Sequence, residues 1–182
     1  MKRFLGFSLI LAAALAWAAP DSIGGPAMKV TSSAFQDGGK IPLKYVMPGA
    51  GGQNISLPLS WSGAPPGTQS FALSMVDPHP IARNWVHWLV INLPAGTAGL
   101  EEGASGKKMP PGAAELQNSF GALGYGGPQP PRGTGDHPYV VTVYALSAPK
   151  LELGAGTDLA RFQAALTGKV LGKAAITGYF GR

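Results

Sequence analysis

Three runs along this chain are apolar at nearly every position, and the stretches between them are punctuated by glycine and proline. Ser70 to Val76 (SFALSMV), Trp85 to Leu93 (WVHWLVINL) and Tyr139 to Leu146 (YVVTVYAL) are rich in β-branched and aromatic residues, which predicts strands. The first two are apolar on both faces, so they are expected in the centre of a sheet covered on each side. Weaker alternation between Met28 and Pro48 predicts two short strands around the turn Asp37 to Gly39. Leu57 to Gly63 reads as an edge or irregular strand, because Pro58 cannot donate to a ladder. AAITGYF, near the end of the chain, reads as a last short strand. One segment has helical periodicity: Leu159, Phe162 and Leu166 share a face, Thr157 or Asp158 caps it, and Gly168 closes it. Many strands, one late helix and no repeating strand and helix alternation predict a mostly β fold.

Composition narrows the class. The 182 residues include 27 glycines, 17 prolines and no cysteine, with 45% hydrophobic and 13% charged side chains. That is enough for one domain with a sizeable core, and the glycine and proline are scattered rather than gathered into a disordered tract. MKRFLGFSLILAAALAWAAP has a basic start, an apolar stretch and small residues at Ala16 and Ala18. It reads as a secretory signal peptide over residues 1–18, followed by a flexible segment over 19–29 and a domain over 30–182. The apolar stretch falls short of the roughly 20 residues an anchor needs, and no later stretch could span a bilayer. A periplasmic or secreted location is therefore expected. Loss of Lys2 and Arg3 with the leader takes two charges from the formal +5. With no basic block, nucleic-acid binding is not expected.

Candidate chemistry gathers on the strand ends. Asp77 and His79 follow the first run, His87 lies inside the second, and His137 and Tyr139 open the third, two residues apart and so on one face. If the three strands are neighbours, one end of the sheet holds all five. Trp61, Trp85 and Trp88 read as core. Ser74, Ser119 and Ser147 lie in no nucleophile-elbow context, so a catalytic role is not expected. Leu100 to Met109 reads as a polar surface loop, and Gly124 to Pro138 is the longest irregular stretch.

Four ordered stretches, SLPLSWSGAPPGTQSFAL, VDPHP, WVHWLVINLP and GYGGPQPPRGTGDHPYVVTVYAL, resemble the phosphatidylethanolamine-binding protein family, which includes the Raf kinase inhibitor protein. ITGYFGR is similar to the usual ending of its bacterial members. The resemblance implies a central β-sheet fold with one or two short helices near the C-terminus and an anion pocket for phosphate-like or carboxylate groups, phospholipid head groups among them. The pocket residues it implies are Asp77, His87, Gly126, Gly127, Pro128, His137 and Tyr139, with His79 where the family has a second acid and Pro138 where it has a polar residue. On this reading the imidazoles and the Tyr139 hydroxyl donate to the anion, and the glycines let backbone N–H groups approach it. His79 in place of an acid is expected to favour anions at mildly acidic pH.

The expectation is thus an exported binding protein for small anions, without a cofactor. An inhibitor of an extracytoplasmic hydrolase is the alternative. A further alternative is a divalent metal site built from Asp77, His79, His87 and His137. The bacterial resemblance also implies a homodimer.

Overall fold

The computed structural model describes residues 27–182; the expected leader over 1–18 and most of the segment after it lie outside the described residues. Five strands, β3 (Ser70–Asp77), β4 (Trp85–Pro94), β6 (Ala114–Glu115), β7 (His137–Leu146) and β8 (Val170–Phe180), form one antiparallel sheet in the order β6-β4-β3-β7-β8. Three short strands, β1 (Lys29–Thr31), β2 (Leu59–Ser62) and β5 (Gly99–Leu100), form a second sheet in the order β1-β2-β5. One helix, α1 (Leu159–Leu166), follows β7. Its Asp158 cap accepts the Arg161 N–H at 2.8 Å, and Gly168 turns the chain away with φ of +73°.

The strands that are apolar on both faces are covered on both faces. Leu73, Met75, Trp88, Val90, Val141 and Val143 join Trp61, Leu59 and Val30 of the small sheet in one core, while Ala72, Leu89 and Ile91 pack with Phe162 and Leu166 of α1 in another. Alternate residues of β3 and β4 thus serve different cores, which is why neither face is polar. The three strong strand expectations hold, and β4-β3-β7 are neighbours.

The weaker patterns fare less well. The stretch after Gly39 makes a single bridge, Lys40 to Tyr179, and then 3-10 turns at Leu43–Tyr45 and Pro48–Ala50, since Pro42 and Pro48 lack the N–H a ladder needs. The expected edge strand is the middle of the small sheet, because its pairing starts at Leu59, beyond Pro58. The last strand is 11 residues long, reaching back to Val170. The loop after Leu100 is mostly exposed, yet Leu100 and Ala104 are buried, and Glu115 accepts from Ser105 Oγ at 2.6 Å and the Gly106 N–H at 2.7 Å. Among the described residues no helix is long and apolar enough to cross a membrane.

Near the end of the large sheet, β3 and β4 fall out of step. Met75 pairs with Trp88 but Val76 pairs with Val86, so His87 is an extra residue with no opposite number on β3. Such a bulge bends the strand and re-aims the side chain it carries.

Candidate functional site

At the end of the large sheet where β3 stops, β4 bulges and β7 begins, a cavity of about 210 Å³ opens to solvent. Asp77, His87, His137 and Tyr139 line its interior, Gln129, Pro130 and Pro131 one wall, and Ile81, Trp85 and Phe120 its mouth.

Asp77 and His137 form the most buried ion pair, their side chains 4% and 1% exposed, with Oδ2 2.6 Å from Nδ1. The other carboxylate oxygen accepts the His79 N–H at 2.8 Å. His137 Nε2 lies 2.9 Å from Thr134 Oγ1, whose single hydrogen goes to the Pro131 carbonyl at 2.8 Å. Thr134 Oγ1 thus holds the far edge of the ring. The Asp77 carboxylate can only accept, so Nδ1 carries a hydrogen, and a buried hydrogen bond locks the two side chains together.

His87 is held differently. Its Nδ1 donates to the Gly126 carbonyl at 2.6 Å, and among the described residues Nε2 has no hydrogen-bond partner. Burial pushes its pKa down to about 4, against the opposing pull of the Gly126 carbonyl and the Asp77 charge. At neutral pH the ring is uncharged and offers the cavity a lone pair. Tyr139 stands edge-on to it, ring centroids 4.9 Å apart, with a fully buried hydroxyl that has no partner among the described residues. Burial, then the negative charge of Asp77, holds that hydroxyl well above the ordinary phenol range. It is a neutral donor.

Two expectations need correction. The glycines do not present free N–H groups: Gly126 N–H donates to the His87 carbonyl at 2.8 Å, Gly127 N–H to Asn54 Oδ1 at 2.7 Å, and Pro128 has none to offer. Glycine is required there by space, since a Cβ on Gly127 would sit 2.2 Å from the Tyr45 carbonyl oxygen. His79 does not line the cavity. Its ring stacks on His137 at 3.8 Å, and its Nδ1 accepts the Ile81 N–H at 3.3 Å.

The four residues considered as metal ligands are not arranged as a set. Both Asp77 oxygens, both His137 nitrogens and His87 Nδ1 are bonded within the protein, and no group of three or more His, Cys, Asp or Glu among the described residues is placed to hold a metal ion.

Several contributors escaped sequence reading. Trp85 is not core but 39% exposed, and packs against Phe120 at 5.3 Å. Phe120, Gln129 and Thr134 arrive on loops with no periodic signal. Arg182 is a further one: Nε donates to the Pro130 carbonyl and Nη1 to the Gly49 carbonyl, both at 2.6 Å, while its own carbonyl accepts the Gly133 N–H at 2.9 Å. It braces the wall that carries Gln129 to Pro131. Arg182→Ala is expected to speed amide exchange across residues 129–134 by about tenfold, about the loss of one hydrogen bond, with β3 and β7 unchanged. Hydrogen exchange read by mass spectrometry checks this.

Among known protein families, the model described as phosphatidylethanolamine-binding protein matches residues 31–181. The UPF0098 protein YbhB of Escherichia coli is 39% identical over 158 residues, covering 84% of this chain and 99% of its own. A UPF0098 protein of Methanothermobacter thermautotrophicus is 38% identical, covering 85% and 99%. Among solved structures, YbcL of E. coli, described as a member of the mammalian PEBP family, superposes with a TM-score of 0.81 at 34% identity, covering 86% of this chain and 99% of its own. A family match across nearly all the described residues, with such relatives, means that the chain belongs to the phosphatidylethanolamine-binding protein family.

Proposed function

We propose that this protein is a non-catalytic receptor, working outside the cytoplasm once its leader is removed, for a small oxyanion that carries an apolar substituent. The observation that carries the reading is Tyr139, a residue of the cavity lining whose buried hydroxyl has no partner among the described residues. An unsatisfied buried hydroxyl is disfavoured by about 1–3 kcal/mol, a cost that a bound acceptor removes. The ordered ion pair beneath it fixes the cavity's shape. Ile81, Trp85 and Phe120 stand exposed at the mouth, where an apolar substituent would rest. Exposed Arg83 and Arg132, next in sequence to the lining residues Ala82 and Pro131, draw anions towards the opening. Among the described residues no serine or cysteine lines the cavity, and its carboxylate is committed to His137 and His79, which favours binding over turnover.

Tyr139→Phe tests this. The variant is expected to be as stable as the parent or more so, since it loses an unpaired polar group. Its affinity for phenyl phosphate should fall about tenfold or more, as befits a lost hydrogen bond to a charged acceptor. Thermal unfolding and calorimetric titration read the two effects separately. Lower stability with unchanged affinity would place the hydroxyl in the fold and not in the site. A lipid head group and a free phosphate monoester share this chemistry; a short-chain phosphatidylethanolamine titrated beside phenyl phosphate separates them.

A further inference from the structure

We infer that the site takes its oxyanion together with one proton, so that its preferred ligand class is a phosphate monoester in its singly protonated form. This rests on the anion reading of the cavity and concerns which anions the cavity selects.

Donors and charges decide the ligand class. Two groups of the cavity interior lack a protein partner among the described residues, Tyr139 O–H and His87 Nε2. One donates. The other, with Nδ1–H tied to the Gly126 carbonyl at 2.6 Å, presents a lone pair. A fully ionised oxyanion satisfies the first and sets its own lone pairs against the second. A singly protonated phosphate monoester satisfies both: one P–O⁻ accepts from Tyr139, and P–O–H donates to Nε2.

The surrounding charges agree. The titratable groups facing His87 are Asp77 from β3 and His137 and Tyr139 from β7; His79 lies beyond, stacked on His137. Tyr139 is a neutral donor. Arg182, whose positive charge is felt at Tyr139, and exposed Arg83 and Arg132 near the opening favour an anion there, and the choice of its protonated form falls to the two partnerless groups.

Proton balance makes this measurable. Whichever heavy atom holds the shared proton, the complex contains one more proton than a phosphate dianion plus the empty protein. Below the second ionisation of the ester, near pH 6, the ligand brings it; above, solvent supplies it and affinity falls tenfold per pH unit. A sulfate ester brings no proton at any working pH, so His87 must acquire one, which in the empty pocket happens only at about 4. At pH 7.5 equal intrinsic contacts then leave the sulfate ester roughly 100-fold weaker.

The test is calorimetric titration of the protein with phenyl phosphate and phenyl sulfate, from pH 5.5 to 8.5, in buffers of different ionisation heat. Expected are uptake of about one proton per phenyl phosphate bound at pH 7.5, affinity falling with pH above about 6, and a much weaker sulfate ester. In ¹⁵N spectra the Nε2 resonance of His87 should move on binding towards that of a protonated nitrogen, with Nδ1 unmoved. Phenyl phosphate bound without proton uptake, or phenyl sulfate bound as tightly, overturns the inference and leaves the anion site standing. If neither ester binds at any pH, the anion reading itself fails and the inference with it.

Discussion

Asp77→Ala is expected to cost about 3–5 kcal/mol of stability, since two donors, His137 Nδ1–H and the His79 N–H, lose their acceptor at about 1–3 kcal/mol each. The His137 ring would remain 1% exposed, with Thr134 Oγ1 as its remaining side-chain partner among the described residues. The His79 N–H would lose its acceptor too, freeing the turn that carries Ile81 and Ala82 into the cavity. For a domain of this size a loss of that order lowers Tm by roughly 10 °C. Asp77→Asn is the informative companion. Its amide oxygen can serve either His137 or the His79 N–H but not both, so an intermediate loss is expected. Thermal unfolding of both variants checks the ordering; parent-like stability of the alanine variant would mean that the pair does not hold this end of the sheet.

Gly127→Ala is expected to cost about 3 kcal/mol, the upper end for forcing extra volume into a packed site. The added carbon would meet the Tyr45 carbonyl oxygen at 2.2 Å and the Val46 backbone at 2.9 Å, and backbone cannot rotate away as a side chain can. The neighbouring Met47 N–H to Pro128 carbonyl bond, at 3.1 Å, holds the two segments together and blocks relief. Gly96→Ala, where a Cβ would meet nothing within 4 Å, is the control and should leave Tm within a degree or two. Denaturant unfolding of the pair reads this out. A stable Gly127→Ala variant that fails only to bind phenyl phosphate would return this glycine to direct ligand contact.

What was legible in the sequence was whatever two-sided burial writes into a strand. β3, β4 and β7 could be placed because Leu73 and Ala72, or Trp88 and Leu89, serve opposite cores and are all apolar. In the small sheet, β1 and β2 fall inside the weak strands read after Met28 and over Leu57 to Gly63, but β5, two residues long, leaves no period to read, and Pro58 pointed to an edge where the strand that begins one residue later is the centre. In the site, the family resemblance named Asp77, His87, His137 and Tyr139, and all four line the cavity. The bonds that define their chemistry were hidden: the Asp77 and His137 pair spans 60 residues, and the Gly127 N–H finds Asn54 across 73. Residue type announced a glycine, but only the fold decides whether its N–H is free. The same holds for Trp85, whose position at the start of β4 leaves its ring outside both cores.

The bulge at His87 separates two things that strands usually couple. Because this residue has no counterpart on β3, its place is set by Gly126, which donates to its carbonyl and accepts from its ring. The imidazole belongs to the loop as much as to the sheet. Changes around Gly126 to Pro131 and Phe120 can therefore shift the recognising nitrogen by tenths of an ångström while the ladder from Met75 inward stays in register. A library meant to retune ligand choice should vary the loop and leave the strand alone.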